Sequence, residues 1–386
     1  MTPGDRTELR DGRVAYLDRL KLLLVAIIIA GHGALAYGDL ESAWPYQDIQ
    51  EVQLGEVSNT LLSVVVIPAV LFTMGLFFLI AGLVTPASLA RKGPGRFARE
   101  RLVRLGIPLL IWTLLLWPGA IWLSHLLAGD HETFWAELTD DEPVLDTGPM
   151  WFVLVLLAYS LAYAGWRAWG PDRPPDPRRP VPLTGRRLVA IAAGISVATA
   201  LVRLVFPIAS PQVGQSHLWQ QPQFVAMFAL GVVAARRAWF APIPDRIRRG
   251  CGLAAIGGLV AWGLVGLATA ITGTDFDRAS EPGLHWVGVS MALIEGPLAL
   301  GASVWLMAFA QRRLDGPLTP FGRDMARSAY AAFLLQGIVL LALMSALRPV
   351  DVPAEVKALA VAGLGVAGSF ALAWLLVSRT PAGRVV

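Results

Sequence analysis

The sequence predicts an all-α polytopic membrane protein with ten transmembrane helices and both termini in the cytoplasm. Three observations predict it. The 386 residues are 55% hydrophobic and only 16% charged, with a mean hydropathy of +0.57. A soluble protein needs more polar surface than this to stay dispersed. Apolar runs of roughly 20 residues, the length that crosses a hydrocarbon layer, recur along the whole chain. The charges between those runs alternate in sign.

The runs lie near 18–37, 60–84, 105–127, 150–169, 188–207, 222–239, 250–272, 286–309, 327–348 and 355–378, each bounded by Pro, Gly or charged residues. The sixth is short and the second contains Pro68. The first is not a cleavable signal peptide. Lys21 and His32 sit inside it, and an acidic stretch without a small-residue cleavage pattern follows.

Charge tests the count independently, because Lys and Arg accumulate in cytoplasmic loops. With ten spans, 28 of the 32 basic residues fall on one side: Arg6 to Lys21, Arg91 to Arg104, Arg167 to Arg187, Arg236 to Arg249, Arg312 to Arg327, and the tail. Arg203, Arg278, Arg348 and Lys357 fall on the other. The acids do the reverse. The first outer loop carries Asp39, Glu41, Asp48, Glu51 and Glu56 with no base, and the third carries seven acids from Asp130 to Asp146 with no base. A wrong count would scramble this alternation.

The composition excludes a soluble enzyme, a disordered chain and a disulfide-rich secreted domain. Cys251, the single cysteine, has no internal partner. The net charge of +4 is no nucleic-acid signal, because the charges are sorted by side. The proline- and arginine-rich segment Pro171 to Pro182 reads as a cytoplasmic loop, so residues 1–386 form one membrane domain.

Ionisable groups inside a bilayer are costly and ask for an explanation. His32 lies about 16 Å beyond Lys21 along the first helix, near the midplane. Glu295 in the eighth helix and Gln336 in the ninth fall at similar depth. The imidazole suits a general base near neutrality, and it also suits a plain interhelical hydrogen bond. Glu295 leans toward a functional role, and Gln336 alone reads as interhelical glue. His125, His131, His217 and His285 show no metal-ligand spacing and read as interfacial or loop residues, so no metal site is expected. Arg101 and Arg104 share a helical face at the start of the third helix, with Arg96 and Arg99 extending the cluster. Guanidinium groups suit phosphate, but basic residues at an inner face ordinarily set topology and touch lipid headgroups.

Near its start the chain reads Tyr16-Leu17-Asp18-Arg19-Leu20-Lys21, then ten residues and His32; Met74 to Gly82, Phe97 to Pro108, Gly148-Pro149-Met150-Trp151-Phe152-Val153, Phe224 to Arg236 and Ser328 to Leu335 follow. In that order these segments resemble the opening and the later motifs of the acyltransferase 3 family of mostly bacterial membrane-embedded acyltransferases. The nearest likeness is to the branch that includes glucan-succinylating membrane proteins. Three positions depart from the pattern. Lys21 stands for Arg and keeps the charge without the planar fork, Ala81 stands for Ser, and Gln336 stands where many members have His.

The resemblance implies an acyl-CoA co-substrate, acetyl-CoA or succinyl-CoA among the possibilities, and no permanently bound cofactor. Arg101, Arg104 and Lys21 would hold its phosphates from the cytoplasm. His32 would take the proton of an acceptor hydroxyl on a sugar, glycan or small molecule arriving from the outer side. Gln336, Tyr330 and Trp151 are the candidate oxyanion or substrate donors, in that order. Glu295 would orient the imidazole or bind the acceptor. Trp135, Trp219 and Gln220 suit an acceptor vestibule. A covalent acyl-His intermediate is an alternative. The implied location is the bacterial inner membrane. A proton-coupled transporter and a catalytically inactive acyltransferase-like binding protein are the competing classes. The glycine-rich tenth run, with Gly363, Gly365 and Gly368, suits close packing within one chain or in a homo-oligomer.

Overall fold

The computed structural model describes residues 15–39, 45–129, 133–135, 146–170, 182–208, 216–240, 242–274 and 283–380. Among them every regular element is helical. The long helices are α1 (Ala15–Leu35), α2 (Glu56–Lys92), α3 (Pro94–Ala128), α4 (Trp151–Trp169), α5 (Gly185–Arg203), α6 (Gln221–Arg237), α7 (Asp245–Thr272), α8 (Trp286–Arg313), α9 (Pro320–Leu347) and α10 (Ala354–Arg379). Each expected run falls on one of them. Eight are long and apolar enough to cross a membrane. The other two are α1, which spends its first two turns on Asp18, Arg19 and Lys21, and α6, which is 17 residues long.

The outward faces fit lipid. Along α7, Leu253, Ile256, Val260, Leu264, Leu267 and Ile271 are exposed, whereas α8 is mostly buried. An apolar face of that extent is stable against hydrocarbon and not against water. The Pro171–Pro182 loop, except Pro182, lies outside the described residues, as do the basic residues up to Arg13 and the acids between 130 and 145.

Two helices run further than hydropathy indicates. At 37 residues, α2 is about 56 Å long, and its polar ends extend past a ~30 Å hydrocarbon core. The basic cluster from Arg96 to Arg104 is helical, because α3 begins at Pro94. Gly93 makes the break between the two with a φ of 76°, where L side chains are strained, and Pro94 starts the next helix. Phe97 is the buried anchor of this first segment, and Glu100 pairs with Lys92 and Arg96.

Two π turns interrupt α3, at Leu102–Gly106 and Trp112–Leu116. Each ends two residues before a proline, Pro108 and Pro118. Proline cannot donate to the carbonyl four residues back, so the ladder there must re-register. In the second turn the Trp117 N–H bonds to the Trp112 carbonyl. That five-residue step stacks the two indoles, with ring centroids 5.5 Å apart and planes at 19°.

The helices form two compact units. The first draws on 1–66, 107–150 and 309–386. In it α9 packs on both α10 and α1, α10 also packs on α1, and the last part of α3 lies on α9. The segment from Pro45 to Gly55 is strapped to these helices. The Tyr46 hydroxyl donates to Glu51 at 2.7 Å, and Lys357 donates to the same carboxylate at 2.5 Å. Arg348 donates to the Ile49 carbonyl, and Glu355 accepts from the Gly55 N–H at 3.1 Å. Burial pushes the Glu51 carboxyl up, but Lys357 and Tyr46 more than offset this and hold it below its ordinary value. Burial, and then the Glu51 carboxylate, push the Tyr46 phenol well up.

The second unit draws on 67–106 and 151–308. Its core includes Leu71, Trp262, Val265, Val287, Met291, Ile294 and Leu298. Here α2 and α6 cross backbone to backbone. A Cβ on Gly82 would fall 2.2 Å from the Phe228 carbonyl, and one on Gly231 would fall 2.2 Å from the Leu79 carbonyl. Beside this crossing, Gln223 donates to the Leu71 carbonyl of α2.

Gly231→Ala should force α2 and α6 apart and cost about 1–3 kcal/mol, read as a lower melting temperature in detergent. Gly194→Ala in α5, where a Cβ meets nothing within 4 Å, is the control that does not lower melting and by helix propensity raises it slightly. The strap gives a pH dependence. An unfolded carboxyl titrates near ~4.3, and Glu51 is lowered in the fold. Its stabilising contribution is therefore complete above the unfolded value and is lost as pH falls through the folded one. Melting curves between pH 7 and 3 should show this acid limb, and Lys357→Met should flatten it.

Candidate functional site

His32 lies near the end of α1, eleven residues after Lys21. Eleven residues make three turns, so the two side chains share one face about 16 Å apart. At the other end of the helix, Lys21 pairs with Asp18 at 3.1 Å. Arg19 donates to the carbonyls of Leu314 at 2.5 Å and Pro317 at 2.8 Å. Those bonds pin the start of α1 to the chain leaving α8.

The polar centre of this first unit joins α1 to α9. His32 Nδ1 lies 3.1 Å from Oε1 of Gln336. An amide oxygen only accepts, so in this contact the ring proton sits on Nδ1. Gln336 is fully buried, and its Nε2 is a buried donor with no partner among the described residues. His32 itself is only partly buried. An imidazole fixed in one tautomer, beside an unspent amide donor, can take a proton and stabilise a nearby negative oxygen. Tyr330 is six residues before Gln336 on the same helix, about 9 Å along the axis and on another face.

Behind Gln336 stands the indole pair of α3. Gly337 faces it so closely that a Cβ there would lie 2.7 Å from Trp117 and 3.0 Å from Trp112. Trp112 donates to the Thr147 carbonyl at 3.1 Å, and Trp117 donates to Asp146 at 2.7 Å. The other carboxylate oxygen of Asp146 accepts from the Gly148 N–H at 2.7 Å. Gly148 has a φ of 47°, and a Cβ on it would fall 2.3 Å from Trp117.

The remaining sequence candidates, apart from Trp135, belong to the second unit. Arg101 is partly buried with its guanidinium 5.0 Å from the centre of the Phe97 ring, and Arg104 is exposed within the first π turn. That turn breaks the regular spacing that would stack the two. Trp151 is sandwiched between His217, with centroids 4.2 Å apart, and Phe224 at 5.4 Å. Gln220 is buried and donates to Gln223 at 3.2 Å, and Trp219 packs against the core. Trp135, in the first unit, is exposed beside Phe134. His131 lies outside the described residues. Among the described residues, no group of three or more His, Cys, Asp or Glu side chains is placed to hold a metal ion.

Glu295 has a partner that sequence reasoning missed. Its carboxylate pairs with Arg203 of α5, and both side chains are buried. The Arg203 guanidinium also lies 5.0 Å from the Trp219 ring. The signal was present: Arg203 is one of four basic residues on the acid-rich side, and a stray base there asks for a buried acid. The Trp112, Trp117 and Asp146 group was also missed, with Pro108 and Pro118 as its faint sequence marks.

Removing one partner of a buried pair leaves an uncompensated charge. Glu295→Ala should therefore cost about 3–5 kcal/mol, read by thermal unfolding in detergent. Joint replacement, Arg203→Met with Glu295→Leu, should recover most of that loss.

A family model for an acyltransferase domain matches residues 14–378, nearly the whole chain. No curated protein and no solved structure gives a match.

Proposed function

Because the chain belongs to the acyltransferase 3 family, we propose that it moves an acyl group from cytoplasmic acyl-CoA to a hydroxyl that arrives from the opposite side of the membrane. The observation that carries this reading is the 3.1 Å contact between His32 Nδ1 and Gln336 Oε1, made by a residue that is only partly buried. With the ring proton on Nδ1, Nε2 is the atom assigned as base.

The reaction follows from that tautomer. Nε2 of His32 takes the hydroxyl proton as the oxygen attacks the thioester carbonyl. A C–O bond forms, and the carbonyl oxygen gains charge that the Gln336 amide N–H can meet. When the C–S bond breaks, the imidazolium returns its proton to the CoA thiolate. Gln336 then does two jobs in one side chain. Its oxygen holds the tautomer and its nitrogen faces the oxyanion. This supplies a reason why an amide serves where many family members carry a histidine.

On the donor side, Arg101 and Arg104 with Lys21 are the candidate phosphate ligands, acetyl-CoA and succinyl-CoA being suitable donors. The acceptor class is a sugar, glycan or other hydroxyl compound. Trp151 and Tyr330 are assigned to the path of donor or acceptor and not to the proton transfer. Glu295, paired with Arg203, is assigned to holding α5 against α8. The membrane topology in this reading has ten spans, counting α1 and α6, with both termini cytoplasmic, in a bacterial inner membrane.

The test uses purified protein, radiolabelled acetyl-CoA or succinyl-CoA, and water as a slow surrogate acceptor. His32→Ala should fold, bind donor and lower CoA release by about 10²–10⁴-fold, the range for general base catalysis. Arg101→Ala should raise the KM for donor with little effect on kcat. Full-rate CoA release by the His32 variant would overturn the base assignment.

A further inference from the structure

The proposed reaction makes no use of the fixture behind Gln336. Trp117 is nearly fully buried and is gripped on four sides within one unit: Trp112 stacks on it, Asp146 accepts its N–H, and Gly148 and Gly337 abut its edges. A bulky indole in a merely filled core needs none of this. The π turn costs regular helix, and the Gly148 backbone adopts a φ of 47° to reach it. Asp146 contributes both carboxylate oxygens, one to the indole and one to the turn.

The geometry has a consequence for α9. Gln336 and Gly337 are adjacent, so they point about 100° apart around the helix. One direction leads to His32 and the other to the indole pair. A rotation of α9 that withdrew Gln336 from His32 would drive the Gly337 backbone into, or away from, the two rings. The clamp on Trp117 therefore sets the rotation of α9, and that rotation sets the Nδ1 contact.

We infer that Asp146 and Trp117 are positioning residues for the catalytic base, acting through Gly337 and Gln336 to hold the amide contact at His32 Nδ1. The inference rests on the reading of His32 as the base. Neither residue touches the reacting atoms. Asp146 replaces part of what a second histidine or carboxylate beside the base would otherwise supply: fixed orientation, delivered from about one helix diameter away.

The test reads the imidazole first without any acyl donor. Full-length protein in detergent is treated with diethyl pyrocarbonate, and carbethoxylation of His32 is followed by mass spectrometry. Gln336→Ala should slow His32 modification at least threefold, because losing the acceptor at Nδ1–H makes the ring a weaker nucleophile. Asp146→Ala and Trp117→Phe should slow it by a similar factor. In the Gln336→Ala background, Asp146→Ala should have no further effect. If the two effects multiply, or if Asp146→Ala speeds modification by loosening the fold, the positioning role is overturned. Asp146→Asn, which keeps one accepting oxygen, supplies the same comparison with an intermediate effect where the alanine variant does not fold. CoA release from acetyl-CoA is then measured on the same variants. A fall in kcat of about tenfold with an unchanged donor KM supports the inference. CoA release that is independent of His32 overturns the base reading instead, whatever the modification rates show.

Discussion

A polar atom inside hydrocarbon has no water to fall back on. Every such atom must find a partner on a neighbouring helix, and the fold is arranged around those obligations. In the first unit the obligation joins His32 of α1 to Gln336 of α9. In the second it joins Arg203 of α5 to Glu295 of α8, and Gln223 of α6 to a backbone carbonyl of α2. Each pairing ties together helices that apolar packing alone would leave free to slide, since lipid tails are as apolar as the side chains they replace.

The partners are unequal in what they leave over. In the pair from α5 and α8, a carboxylate oxygen and two guanidinium nitrogens have no partner among the described residues, yet the opposite charges meet directly. In the pair from α1 and α9 the groups are neutral, and what remains is the one nitrogen of the Gln336 amide. A neutral pair is cheaper to keep in a membrane than a charged one, and it leaves proton chemistry open. The difference explains why the second pairing is read as structural and the first as reactive, although depth in the sequence placed His32, Glu295 and Gln336 at one level.

Much of the architecture was legible in the sequence because a bilayer demands a fixed length of apolar chain. All ten expected runs coincide with helices, and the eleven-residue spacing of Lys21 and His32 already put them on one face. The ends were harder to see. Hydropathy stops where the hydrocarbon stops, whereas α2 and the basic start of α3 continue as helix into the polar layer, held by Phe97 and by Glu100 with its basic neighbours. The partners were hardest. Which face of α9 meets α1 depends on how helices rotate against one another, and no local pattern records that rotation. The indole stack was hidden for a related reason. Trp112 and Trp117 would point apart on a regular α-helix, and only the re-registration before Pro118 brings them together.

The two halves of the neutral pair stand 304 residues apart in the chain. Synthesis at about 5–20 residues per second therefore separates the birth of the histidine from that of its glutamine by roughly 15–60 s. Throughout that interval the first helix lacks the glutamine that meets its ring, and for most of it also lacks the carbonyls of Leu314 and Pro317 that anchor its start. The pair can form only after Gln336 in α9 has been made, so a nascent chain released before that point holds most of its helices without this contact between α1 and α9.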